Sequence, residues 1–323
     1  MIDIDINNSR TGLQKKLKGF GWLFDGETIE ALELPGEGNM NVVLRVKTSK
    51  RSFILKQSRP YVQKYRDVAA PLDRIDVEYQ FYRGVKDSAV ASHFPRILAY
   101  NPSHYLIQME DLGDCRDMTY WYKEGKIHPA HLESLVQILF NIHRQDLPED
   151  YPENTGLRTL NHQHIFVLPF MEENGFLLDD VQKGLQELSL PFKKDRELRQ
   201  IVTQTGKKYL EKGRTLLHGD YYPGSWMCRK DRVFVIDPEF SYPGFPEYDI
   251  GVMAAHAIMA TADRGYLETI LSIYQGSADE ALTSRIAGIE IMRRLLGLAQ
   301  LQLERSLDEK QYLLKTAREM VIQ

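Results

Sequence analysis

The stretch LLHGDYYPGSWMCRKDRVFVIDPEFSYPGFPEYDIG, Leu216–Gly251, decides the reading of this chain. Leu216-Leu217 reads as the end of a buried strand, and His218-Gly219-Asp220 turns out of it. Val233-Phe234-Val235-Ile236 is a β-rich apolar run that stops at Asp237-Pro238, so Asp237 also stands at a strand end. Two carboxylates, Asp220 and Asp237, are therefore expected on loops that follow buried strands. That placement suits a charge that must meet a ligand rather than solvent. Ser225 lies five positions after Asp220, and Glu239 lies two positions after Asp237. Ser225, Asp237 and Glu239 offer the hard oxygen donors that Mg²⁺ takes.

Composition bounds the rest. At 323 residues the chain is long for one core and suits two lobes. Hydrophobic residues make up 43% and charged residues 27%, as in ordinary globular proteins. The net charge of −4 leaves no basic footprint for nucleic acid. Cys115 and Cys228, the two cysteines, are far apart, which argues against a disulfide framework or a cysteine-based zinc site and fits a reducing cytosol. The acidic and polar start MIDIDINNSR does not read as a signal peptide. No apolar run reaches membrane-spanning length; Gly251–Ala262 is the nearest and contains His256. The expectation is a cytoplasmic protein with no nucleic-acid or membrane partner.

Upstream, Thr11–Phe20 carries Leu13, Leu17 and Phe20 at helical spacing. Ile29–Leu34 reads as a strand, and Gly36, Gly38, Asn39 and Asn41 precede the alternating run Val42–Val46. A dinucleotide fold would need a helix after such glycines. Strand–loop–strand instead predicts a tight hairpin whose backbone N–H groups can cover phosphates. Lys56 ends the next apolar strand, Ser52–Gln57, and is placed to meet those phosphates. Pro71–Val85 is a predicted helix, and Glu78 within it is the candidate to pair with Lys56. Phe94–Tyr100 and His104–Met109 form a predicted hairpin around Asn101-Pro102-Ser103. Glu110 and Leu112 follow it, where a two-lobed nucleotide-binding chain would cross between lobes. The expected class is α+β, with a small antiparallel-sheet lobe over residues 1–110 and a larger, mainly helical lobe over 111–323.

Helices are expected over Ala130–Arg144, Leu177–Leu188, Phe192–Leu210, Tyr248–Thr261, Gly265–Tyr274, Ala278–Leu303 and Leu307–Val321. No zinc-type spacing surrounds the pairs His128/His131 and His162/His164.

This order of features resembles the aminoglycoside phosphotransferase and choline kinase superfamily, whose members have a protein-kinase-like fold. It resembles most specifically the 5-methylthioribose kinase family. The shared motifs are G-x-G-N-x-N at Gly36–Asn41, K-Q-x-x-P-Y-V at Lys56–Val62, Ser225 after the HGD loop, D-P-E-F at Asp237–Phe240 and R-R-x-x-G-L-A at Arg293–Ala299. Two segments depart from the family pattern. Tyr221-Tyr222-Pro223 stands in the HGD loop, and Ser241–Glu247 differs from the usual run after D-P-E-F.

The resemblance implies a kinase that uses ATP and Mg²⁺ to phosphorylate a hydroxyl of a small sugar-like metabolite, methylthioribose or another 5-substituted ribose first. It implies that Asp220 is the catalytic base, that Lys56 touches the phosphates, and that Asp237 and Glu239, with Ser225, hold Mg²⁺. Glu110 and Leu112 would hold adenine through main-chain atoms. Arg293 and Arg294 would approach the sugar or the moving phosphoryl group. Adjacent helical residues point in different directions, so one of the two arginines is expected to be structural. An aminoglycoside or amino-alcohol kinase is the first alternative, and a catalytically inactive nucleotide-binding regulatory protein is the second. Oligomeric state stays open, a homodimer included.

Overall fold

The computed structural model describes residues 3–36, 40–301 and 303–323. Gly38 and Asn39 of the glycine loop lie outside the described residues.

Helix α1 (Arg10–Gly19) starts at Ser9, whose side chain accepts a hydrogen bond from the Gly12 N–H. It buries Leu13 and Leu17 against an antiparallel sheet. The strands are β1 (Ile29–Glu33), β2 (Val42–Thr48) and β3 (Ser52–Gln57), then a short ribbon of β4 (Tyr61–Val62) and β5 (Tyr65–Ala69), then β6 (Ile97–Asn101) and β7 (Leu106–Glu110). The five-stranded sheet runs β1-β2-β3-β7-β6. Side chains alternate across it. Phe53 and Leu55 of β3 join Leu44 and Val46 of β2 in the core beneath α1. The same alternation turns Val43, Ile54 and Lys56 to the opposite face, where they line a cleft.

Helix α2 (Arg74–Val85) stands between β5 and β6. It begins three residues later than Pro71, and it packs on the turn Pro238–Phe240. Ile75, Phe81 and Tyr82 belong to the larger core, which continues through the helices that follow. Those elements are β8 (Arg116–Asp117), α3 (Tyr120–Glu124), α4 (Pro129–His143), α5 (Thr155–His162), α6 (Leu185–Lys194) and α7 (Arg196–Leu210). After them come β9 (Thr215–Leu217), β10 (Trp226–Arg229), β11 (Arg232–Val235), β12 (Tyr242–Gly244), α8 (Glu247–Thr261), α9 (Tyr266–Ile273), α10 (Glu280–Leu296) and α11 (Leu307–Ile322).

Helices α8 and α10 pack together closely. A Cβ at Gly251 of α8 would lie 2.7 Å from Ile286 side-chain atoms of α10, so only glycine permits this approach. Among the described residues no helix is long and apolar enough to cross a membrane.

Three predicted helices have different bounds. The run Phe192–Leu210 breaks at Asp195, whose carboxylate accepts the Leu198 N–H and starts α7. Leu177–Leu188 divides into a 3₁₀ turn at Leu178–Asp180 and the start of α6, because Asp179 accepts the N–H groups of Gly184 and Gln186. Ala278–Leu303 ends at Leu296, where Gly297 becomes extended. The chain beyond that stop, Leu298–Leu301, turns along the cleft. Helix α5 was not predicted; it runs straight into a π turn, Gln163–Val167.

Candidate active site

Asp220 leaves β9 through His218-Gly219, and buried groups hold this turn from behind. Asp249, in the first turn of α8, accepts the His218 N–H at 2.7 Å and the Gly219 N–H at 2.9 Å. His143 Nε2 lies 3.3 Å from the same carboxylate. His218 is neutral, since burial outweighs Asp249 and holds its pKa below the usual histidine range. Its Nε2 donates to the Ile236 carbonyl at 3.0 Å, and its Nδ1 accepts the Asp220 N–H at 3.4 Å. Gly219 has φ +84°, and a Cβ there would sit 2.1 Å from the Phe240 carbonyl oxygen. The loop thus needs glycine both for its conformation and for its space.

Asp237 follows β11 with φ 62°, in the left-handed region that Asn and Asp tolerate best among residues with a Cβ. Its carboxylate is 45% exposed and meets Lys56 Nζ at 2.5 Å. Lys56 also pairs with Glu78 at 2.7 Å, both of them buried. Burial opposes the lysine's charge, but Asp237, Glu78 and Glu239 outweigh it and hold the ammonium above the usual lysine range. The structure therefore brings Lys56, Glu78 and Asp237 into one chain of charges across the cleft.

Glu239 and Asn41 sit behind that chain. Asn41 Nδ2 donates to Glu239 Oε2 at 2.9 Å, and Arg74 Nε reaches the same oxygen at 3.1 Å. Arg74 is fully buried and also donates to Asn41 Oδ1 and to the carbonyls of Met40, Arg59 and Pro71. It thereby locks α2 to the glycine loop and to the D-P-E-F turn. Sequence reading missed Arg74. Its signal was the i, i+4 row it shares with Glu78 on a helix face that is otherwise apolar.

Arg293 and Arg294 both face the cleft, contrary to the expectation that one would be structural. Their Nη2 atoms lie 3.8 and 3.6 Å from Asp220 Oδ1. Glu290 is the reason. It is buried one turn earlier on α10, takes Arg294 Nε at 2.8 Å on one oxygen and Arg293 Nε on the other. Spacings of three and four residues put both guanidinium groups over one carboxylate, despite their different directions from the helix axis. His256 Nε2 lies 3.0 Å from Glu290. Burial holds that imidazole near a pKa of about 4, so the ring is neutral, with Nε2 donating to Glu290 and Nδ1 accepting the Tyr122 hydroxyl at 2.6 Å. Asp249, Glu290 and His256 were not singled out in the sequence, where each lies in an otherwise ordinary helical run.

A cleft of about 1020 Å³ joins these groups. Gly36, Lys56, Glu110 and Leu112 line it on one side, and Asp220, Asp237, Arg293 and Arg294 on the other. At the crossing, the Leu112 carbonyl accepts Arg229 Nη1 at 3.1 Å, and the Glu110 side chain turns to Arg96. Ser225 is buried, with its carbonyl accepting the Ile236 N–H, and its neighbour Gly224 supplies the lining at that point. Of the two unusual tyrosines, Tyr221 is buried and donates to the Leu135 carbonyl. Tyr222 lines the cleft beneath Arg294, whose guanidinium lies 4.8 Å from the ring centroid.

Asp220 has a side chain 23% exposed. Burial pushes its carboxyl up to about 6, against the pull of Arg294 and Arg293. A base with that pKa is lost as pH falls through it. The acid limb of kcat/KM is therefore expected near pH 6. Arg294→Met removes a cation that favours the carboxylate, so it should move the limb to higher pH. A pH profile of both proteins checks this; an unmoved limb would mean that Asp220 is not the titrating base.

Fold and site together define a two-lobed, protein-kinase-like protein of the α+β class. The chain belongs to the phosphotransferase enzyme family, which it matches over residues 31–287. It is 27% identical to the methylthioribose kinase of Exiguobacterium sibiricum, over 74% of this chain and 63% of that protein. It is 24% identical to the methylthioribose kinase of a Geobacillus species, over 93% of this chain and 88% of that one. The chain thus spans less than two thirds of the first of these relatives. Among solved structures, it is similar to spectinomycin phosphotransferase in complex with ADP and spectinomycin (TM-score 0.57, 13% identity, 98% of each chain). It is also similar to choline kinase from Streptococcus pneumoniae (TM-score 0.53, 15% identity, 96% of this chain and 98% of that chain).

Proposed function

We propose that this protein is a small-molecule kinase that transfers the terminal phosphoryl group of ATP to a hydroxyl of a neutral, sugar-like acceptor, methylthioribose or a related 5-substituted ribose. The observation that carries this reading is the position of Asp220, between two arginines and across the cleft from Lys56 and Asp237. Asp220 accepts the acceptor's hydroxyl proton. Lys56, braced by Glu78, meets the phosphates. Arg293 and Arg294 take up charge that develops on the moving phosphoryl group. Main-chain atoms from Glu110 to Leu112 hold the adenine, where the two lobes join.

The donor set suits Mg²⁺. Among the described residues no group of three or more His, Cys, Asp or Glu could enclose a metal ion. Mg²⁺ is commonly held by one or two carboxylates together with substrate phosphates. Asp237 presents such a carboxylate to the cleft. Glu239 has one oxygen committed to Asn41 and Arg74, and its other oxygen is the one it could offer. Held by Asp237 with Glu239, the ion would supply positive charge that offsets the charge of the phosphates.

Charge selects the acceptor class. Of the other acids that line the cleft, Glu110 is paired with Arg96 and Asp111 with Arg45 at 3.0 Å, while Asp117 accepts only the Thr119 N–H and hydroxyl, and Glu304 holds no ion pair among the described residues. A cationic acceptor at Asp220 would stand beside two guanidinium groups. Each like-charge pair at about 4 Å and an effective dielectric near 20 opposes binding by about 4 kcal/mol. A neutral sugar escapes that cost. The test compares kcat/KM for methylthioribose, kanamycin and choline, with wild type, Arg293→Lys and Arg294→Lys. Methylthioribose should win by at least about 10²-fold, and at least one Lys variant should lose activity because an ammonium lacks the planar fork. A better rate with kanamycin or choline would favour the cationic-acceptor reading instead.

A further inference from the structure

The π turn Gln163–Val167 continues α5 and packs against α10, the helix that carries Arg293 and Arg294. A π turn inserts an extra residue and re-aims the side chains after it, and such turns occur often at functional sites. Here Leu160 and His164 both line the cleft. His164 is half-buried, yet neither ring nitrogen has a hydrogen-bond partner among the described residues. His93, His104, His131, His143, His218 and His256 all hold hydrogen-bond partners within the protein; among the described residues His128 and His162 do not, but neither of them lines the cleft. A half-buried imidazole without a partner, facing the cleft beside the arginines, is built to meet something that arrives there. Burial first, and Arg293 second, keep the ring below the usual histidine range and hence neutral. A neutral imidazole offers one donor and one acceptor, which suits a hydroxyl better than a cation or an anion. Across the same cleft, the stop of α10 at Gly297 releases Leu298, Ala299 and Leu301 into the lining. The unpartnered imidazole and the apolar wall thus lie in one cleft.

We propose that His164 binds a hydroxyl of the acceptor, and that Leu160, Leu298 and Leu301 receive an apolar substituent on the same molecule. The acceptor is then a neutral polyol with one apolar arm, which deepens the small-molecule kinase reading and rests on it.

Steady-state constants for wild type, His164→Leu and His164→Gln, with methylthioribose and its ring-deoxy analogues, test this. His164→Leu should raise the acceptor KM about tenfold, as loss of one hydrogen bond in a partly buried site does, with the ATP KM within about twofold. His164→Gln keeps a donor and an acceptor and should stay within about threefold of wild type. One deoxy analogue should lose about tenfold with wild type and nothing more with His164→Leu. An unchanged acceptor KM in His164→Leu overturns the proposal. So does a wild-type enzyme indifferent to every ring hydroxyl other than the one phosphorylated, a result that stands even if His164→Leu does not fold. If wild type phosphorylates no neutral polyol at all, the kinase reading itself fails, and this inference fails with it.

Discussion

Asp220→Asn is expected to lower kcat by about 10²–10⁴-fold while leaving the ATP KM within about twofold, the usual worth of a positioned base. The substitution keeps the side chain's size and removes its capacity to take a proton. The surrounding loop should survive, because Asp249 and His218 fix its backbone independently of the Asp220 carboxylate. Arg293 and Arg294 would lose one anion but keep Glu290. A variant that lost ATP binding yet kept its single-turnover rate would show that Asp220 serves the nucleotide and not the acceptor.

Asp237→Asn should have an effect of similar or greater size, at least about 10²-fold in kcat, because it removes charge from the more exposed of the two carboxylates proposed to hold the ion. Asparagine accepts the left-handed backbone seen at Asp237, so the change isolates charge from conformation. Lys56 keeps Glu78 as a partner, and the fold should remain intact by circular dichroism. Raising Mg²⁺ should recover part of the lost rate if the carboxylate binds the ion. Near-normal turnover at millimolar Mg²⁺ would rule out the assignment.

The sheet and its lysine were legible because β-strand alternation is unambiguous: a polar residue in phase with Ile54 must leave the core that Phe53 and Leu55 enter. Asp220 and Asp237 were legible because each ends a β-rich run. The pairing of Lys56 with Glu78 followed from their order along the chain. What was hidden lies mainly on helices. Helical periodicity separates apolar from polar residues, and it assigns a charge such as Arg74 or Glu290 to the solvent face by default. Only the fold shows that Arg74 is buried against Glu239, and Glu290 against Arg293 and Arg294. The convergence of Arg293 and Arg294 was hidden for the same reason, since it depends on Glu290. His164 was obscured by the π turn, which breaks the periodicity on which its direction could have been read. The ends of α7 and α10 were set by one cap, Asp195, and one extended glycine, Gly297, inside runs whose apolar spacing would otherwise continue.

The most direct measurement is ³¹P NMR of a mixture of ATP, Mg²⁺ and methylthioribose with wild type and with Asp220→Asn. Wild type should convert the γ-phosphate signal into a phosphomonoester resonance, with equal growth of ADP, and Asp220→Asn should not do so over the same period. ADP and inorganic phosphate without a phosphomonoester, or an ester formed equally fast by both proteins, would contradict phosphoryl transfer to a sugar hydroxyl through Asp220.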